Sequence, residues 1–223
     1  MPGGGELVAL SEPVRERFAS RSGAREFALA ASRDATRSAA NAIRAIHRGE
    51  SDRSSELIEE ARASLATATD ACAGFPEVFH AGFVQDAAKE VAEAVLTSAA
   101  LAGAPLPGPE DVGVDDGSWL HGLAETVGEL RRSSLDRLRA GRVEDAERLL
   151  ELMEEILSVL VTIDVPEALT RGLRRATDAA RAITERTRGD ITTSAGQREL
   201  ERALDEHRAA LERALETGGD AER

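Results

Sequence analysis

The amino-acid sequence predicts an all-α fold on three observations. Of its 223 residues 42% are hydrophobic but only 3% aromatic, Tyr is absent, and Ala, Leu, Glu and Arg abound. Helices accept that composition, whereas sheets draw on aromatic and β-branched side chains. Gly and Pro fall at helical intervals, with breaks at His47-Arg48-Gly49-Glu50, Gly74-Phe75-Pro76, the Gly/Pro-rich stretch from Gly103 to Gly117, Ala140-Gly141, Asp164-Val165-Pro166 and Gly189-Asp190. Between breaks, apolar residues recur at spacings of three and four. The length admits one large domain or two small ones.

The breaks delimit about seven helices, at roughly 12–48, 52–73, 77–102, 118–140, 143–163, 167–188 and 195–217. In the first, Ala28, Ala31, Ala35, Ala39, Ala42 and Ile46 form a small-residue stripe that lets a neighbouring helix approach closely. Arg33, Arg37, Arg44, His47 and Arg48 gather on the other side, and a solvated face is the default reading of such a stripe. The fifth helix carries Val143, Ala146, Leu149, Leu150, Met153, Ile156, Leu157 and Leu160 in phase and reads as a core helix. The seventh is strongly charged, with a narrow apolar edge at Leu200, Ala203, Leu204, Leu211, Ala214 and Leu215 that suits packing on the body or on another subunit. No repeat and no Gly-rich phosphate loop is visible, which sets aside solenoid, Rossmann and P-loop readings.

The formal net charge is −13, so the field of the whole chain repels nucleic acid and any RNA site must be a local basic patch. The single Cys72 excludes an internal disulfide and a cysteine-type zinc cluster, and is expected to be a buried small residue. The N-terminus lacks the features of a signal peptide, and no stretch approaches the roughly 20 apolar residues of a membrane span. The expectation is a soluble, cytoplasmic protein without a membrane partner.

Three stretches carry a family resemblance. Arg25-Glu26, Ser32-Arg33 and Ile43-Arg44-Ala45-Ile46-His47-Arg48 provide an RE pair, an SR pair and a closing I-x-x-x-H-R. Trp119-Leu120-His121-Gly122-Leu123-Ala124-Glu125-Thr126-Val127-Gly128-Glu129-Leu130-Arg131-Arg132 matches an aromatic-L-x-G-x-A-D-x-x-G-E-L-x-R segment. Leu173-Arg174-Arg175 with Asp178, Arg181, Glu185 and Arg188-Gly189 forms a final helix closing on RG. In order and spacing these resemble the translin/TRAX family. The resemblance implies a single-domain, translin-like bundle of antiparallel helices at 12–190; outside it, where the resemblance says nothing, the expectation is a flexible N-terminus at 1–11 and a C-terminal helical extension with a flexible tail at 191–223.

Four acids separate the two sides of that family. Glu90 and Glu93 look like the E-x-x-E-A motif of TRAX, which translin lacks, and Glu125 and Glu129 fall where TRAX carries D-x-x-x-E. Spacings of three and four put each pair on one helix face, so two packed helices can converge four carboxylates. Like charges so close raise one another's pKa unless a cation sits among them, and an oxygen-rich set suits Mg²⁺ or Mn²⁺. Glu125 departs from the usual Asp, adding a methylene where catalytic tolerance is tight. His121, one turn before Glu125, reads as a surface or interface histidine, and Lys89 either holds a phosphate or offsets the local charge.

The resemblance therefore implies a metal-dependent endoribonuclease for single-stranded RNA, with Glu90, Glu93, Glu125 and Glu129 holding the metal and activating water. The alternative is a translin-like single-stranded RNA- or DNA-binding protein that does not cut. A more distant option is a structural subunit shaping a shell around an active family paralogue. The family's closed octameric shell makes Arg33, Arg37, Arg44 and Arg48 candidates for an RNA-facing interior, with Arg131, Arg132, Arg174 and Arg175 as further candidates. With almost no aromatic platform, recognition should rest on backbone charge.

Overall fold

A computed structural model describes residues 4–219, with side chains described for 7–213. Every regular element among the described residues is a helix: α1 (Gly4–His47), α2 (Ser51–Ala71), α3 (Pro76–Phe79), α4 (Phe83–Ala102), α5 (Pro109–Val112), α6 (Asp116–Arg139), α7 (Val143–Leu160), α8 (Glu167–Thr170) and α9 (Leu173–Gly219). Six are long and three are single turns. No helix is long and apolar enough to cross a membrane.

The small-residue stripe of α1 does what its spacing implies. Ala28, Ala35, Ala39 and Ala42 are fully buried, and α1 packs along both α2 and α4. α4 also meets α2 and α6, and α6 in turn meets α7 and α9. One continuous core results, with Leu57 and Leu65 from α2, Val91 and Leu96 from α4, Val127 and Leu130 from α6, and Met153 and Leu160 from α7. Cys72 is buried within it. Asp115 starts α6 by accepting from the Ser118 amide at 3.0 Å, satisfying one of the free N–H groups of the first turn.

Four boundaries differ from the sequence expectation. α1 begins at Gly4, passing through Pro13 instead of starting near residue 12; residues 1–3 of the expected flexible N-terminus, and 220–223 of the expected tail, lie outside the described residues. The helix expected at 77–102 is divided into α3 and α4 by His80-Ala81-Gly82, where Gly82 takes φ 100° and turns the chain in a way L side chains rarely allow. The break expected at Gly189-Asp190 does not occur, and α9 runs through it unbroken. The helix expected at 167–188 is divided into α8 and α9 at Arg171-Gly172, where φ is 48° and 92°.

The third difference has an energetic reason. Gly within a helix costs only about 1 kcal/mol relative to Ala. Ile191, two residues on, is buried against Val143 and Ala146, and full burial of such a side chain is worth roughly 1.5–3 kcal/mol. Asp190 pairs with Arg131 at 2.8 Å, and Arg188 pairs with Glu154 on α7 at 2.8 Å. Packing against α6 and α7 thus overrides the local propensity.

Candidate metal centre

α4 is enclosed on nearly every side, and Glu93 is a buried carboxylate on it, lying among Val91, Ala92, Ala94 and Val95. The helix that faces it comes unusually close. A Cβ built on Gly122 of α6 would meet Ala92 Cβ at 2.6 Å, the Glu93 amide nitrogen at 2.9 Å and the Lys89 carbonyl oxygen at 3.0 Å. Two of those atoms are α4 backbone and cannot swing aside. Gly122 is therefore the seat of the α4/α6 contact, and it brings Glu125, one turn further along α6, over the acidic face of α4.

One oxygen from each of Glu90, Glu93 and Glu125 lies within 4.8 Å of the others. Glu93 is only 9% exposed and receives no hydrogen bond from any described residue. Burial, reinforced by the carboxylates of Glu125, Glu90 and Glu129, pushes its pKa up to about 8. Oxygen donors this close, one of them on a largely buried carboxylate that no described side chain or backbone donor engages, match the chemistry of a hard divalent cation.

Lys89 resolves the question its sequence position posed. Its Nζ donates to Glu125 Oε1 at 2.7 Å and to Glu90 Oε1 at 2.9 Å. Burial pulls the ammonium's pKa down, but the hydrogen bonds to Glu125 and Glu90 outweigh it and hold the group above the usual lysine range. The lysine is an internal partner of the acidic cluster.

Glu129 lies one turn beyond Glu125 and is held apart from the trio. Its Oε2 accepts a short hydrogen bond from His47 Nε2, and Ser133 Oγ lies 3.5 Å from the other ring nitrogen. The His47 hydrogen bond is the main reason that Glu129 stays below the ordinary carboxylate range, against the opposing effect of burial. His47 does not belong to the exposed arginine stripe where its sequence position put it: its side chain is 5% exposed and turned inward. The signal was present, since His47 lies four residues, about 40° of helical turn, from the buried Ile43.

The arginines divide in the same way. Arg33, Arg37 and Arg44 are exposed along α1, and Arg48 is exposed in the turn that follows it. Arg37 pairs with Asp34 at 2.6 Å, Arg44 with Asn41 at 2.5 Å and Arg48 with Glu50 at 2.7 Å. A groove of about 360 Å³ between α1 and α4 is lined by Arg33, Arg37, Arg44, Phe83 and Asp86, with Asp86 one turn before Glu90. Arg131 is committed to Asp190 and to Thr187 at 3.0 Å, whereas Arg132 is half exposed with only a 3.9 Å contact to Glu129. Arg174 reaches Asp164 at 4.0 Å from an exposed position on α9. His121 bonds the Thr170 carbonyl at 2.7 Å and stands outside the carboxylate cluster.

Comparison with known proteins adds an independent line. No family model matches the chain. An uncharacterized protein of Methanocaldococcus jannaschii is 29% identical over 182 residues, covering 79% of this chain and 78% of the relative. The crystal structure of AfC3PO is 32% identical with a TM-score of 0.78, and that of AfC3PO complexed with duplex RNA is 32% identical with a TM-score of 0.77; each covers 84% of this chain and 97% of the matched one. The crystal structure of apo-NeC3PO shares the fold at 19% identity and a TM-score of 0.74, over 82% of this chain and 96% of its own.

Proposed function

The chain belongs to the translin/TRAX family, and from that premise we propose that it is a metal-dependent endoribonuclease acting on single-stranded RNA. The observation that carries the reading is Glu93, a buried glutamate whose carboxylate receives no hydrogen bond from any described residue, clustered with Glu90 and Glu125. Ionising it in that setting is costly unless a cation joins the cluster. The three carboxylates would hold Mg²⁺ or Mn²⁺, which when bound supplies Lewis acidity, acidifying water and drawing charge from a phosphoryl oxygen.

The remaining work belongs to the chain's own side chains. Glu129, kept ionised by His47, stands beside the cluster as a fixed anion able to orient an attacking water. Arg33, Arg37 and Arg44, which line the groove between α1 and α4, and Arg48 just past the end of α1 would hold consecutive phosphates, with Arg132, 3.9 Å from Glu129, as a further contact. RNA as the ligand is supported by the relative AfC3PO, which has been described with duplex RNA. The strand preference of this chain is taken from the family resemblance, so labelled single-stranded and duplex RNA belong in the same assay.

Assembly into a homo-oligomeric, octameric shell is part of the proposal, alone or with a family paralogue. It is supported by large apolar side chains left exposed at both ends of the chain: Leu7, Leu10, Val14 and Phe18 on α1, and Leu200, Leu204 and Leu211 on α9.

The second reading, a single-stranded RNA- or DNA-binding protein that does not cut, is favoured by two features: Glu125 stands in the place of the usual Asp, and Lys89 already neutralises part of the cluster. Glu93→Gln separates the two. Mn²⁺-dependent cleavage is expected to fall by about 10²–10³-fold, in line with the loss of transition-state charge stabilisation, while filter retention of RNA stays near wild type. A wild-type protein that retains RNA but never cleaves it with Mn²⁺ establishes the second reading instead.

A further inference from the structure

Lys89 is the only lysine in a chain with 28 basic residues, and the fold places its ammonium inside the acidic cluster. It contacts Glu90 and Glu125, two of the three groups that would ligate a divalent ion, and its side chain is three-quarters withdrawn from solvent. We propose that Lys89 is a resident counter-ion that competes with the divalent cation for Glu90 and Glu125, so that the cation binds only as the ammonium withdraws. This rests on the reading of the cluster as a Mg²⁺ or Mn²⁺ site.

The competition follows from the donor chemistry. An ammonium offers three donors and no acceptor, and here two of them engage oxygens that the cation requires. A divalent ion entering with the ammonium in place would sit a few ångströms from a like charge, in a half-buried setting where screening is weak. Lysine suits displacement: its charge is compact and its four-carbon stem flexible, whereas the planar fork of arginine would grip a carboxylate on two oxygens. The cluster consequently never stands as three bare carboxylates. The lysine balances it in the ion-free protein and weakens its hold on the ion.

Isothermal titration of the full-length protein with Mn²⁺ alone tests this, comparing wild type with Lys89→Met, Lys89→Gln and Lys89→Arg. Met and Gln remove the competing charge and are expected to bind Mn²⁺ about tenfold more tightly, a conservative figure for one partly buried like-charge contact. Arg keeps the charge and is expected to bind no more tightly than wild type. Melting in EDTA provides a second readout: Met and Gln should melt below wild type, because the carboxylates lose their partner, and Mn²⁺ should raise their melting temperature more than it raises that of wild type. Equal or weaker Mn²⁺ binding by both Met and Gln overturns the role of Lys89 while leaving the metal site standing. Absence of Mn²⁺ binding in every protein, wild type included, removes the metal site and this inference together.

Discussion

Ionising Glu93 puts a negative charge out of water and beside two further carboxylates, and the folded chain resists it. Its folded pKa of about 8 lies above an ordinary value of about 4.5, so the native state holds a proton that the unfolded state has released. Stability from this group is fully present below about pH 4.5 and is lost as pH rises towards and through 8. The ion-free protein should therefore lose melting temperature across that window, by an amount corresponding to roughly a few kcal/mol, and saturating Mn²⁺ should flatten the slope. A scanning-calorimetry series in EDTA and in Mn²⁺ checks it, and Glu93→Gln should abolish the difference. Glu129 has the opposite sign: its pKa is lowered by His47, so its contribution is present above the unfolded value and lost as pH falls. Both glutamates were legible in the sequence as candidates, because spacings of three and four fix a shared helix face. Which of them joins the cluster was not, because that depends on His47 reaching across from α1, a contact 82 residues away in sequence.

At the scale of elements, the site is a property of the α4/α6 seam, and Gly122 sets its width. Gly122→Ala would push a methyl group against the α4 backbone at Glu93 and Lys89. Overpacking of that kind costs typically about 1–3 kcal/mol. The expected outcome is a lower melting temperature together with weakened Mn²⁺ binding, since Glu125 and Glu93 move apart, while Gly128→Ala, with open space around it, leaves Mn²⁺ binding unchanged. Equal Mn²⁺ affinities in the two variants would detach the site from the helix spacing. The helices themselves were largely readable from Gly and Pro punctuation and from the apolar period. The errors fell where local and tertiary preferences disagree. Gly189 signals a stop, but the burial of Ile191 and the Arg131–Asp190 pair carry α9 onward. His80-Ala81-Gly82 reads as helical in composition, yet Gly82 adopts the left-handed region and divides α3 from α4. Lys89 was ambiguous for a related reason: its partner Glu125 arrives from α6, 36 residues downstream.

The whole molecule carries a formal charge of −13, yet it places exposed arginines along α1, three of which, Arg33, Arg37 and Arg44, line a groove with Phe83 and Asp86 of α4. Attraction for a phosphate backbone is thereby local, and it fades with salt as bound counter-ions are released. The proposed function reconciles acid at the α4/α6 seam with base along α1 by placing a cation at the seam, where unneutralised carboxylates would repel a bound phosphate backbone. The proposed function therefore turns on that cation. Anomalous diffraction from crystals equilibrated with Mn²⁺ is the decisive test: a strong anomalous peak is expected among the carboxylates of Glu90, Glu93 and Glu125, with the Lys89 ammonium drawn away from Glu125. Saturating Mn²⁺ with no peak between those three side chains, and Lys89 still bound to both partners, would contradict it.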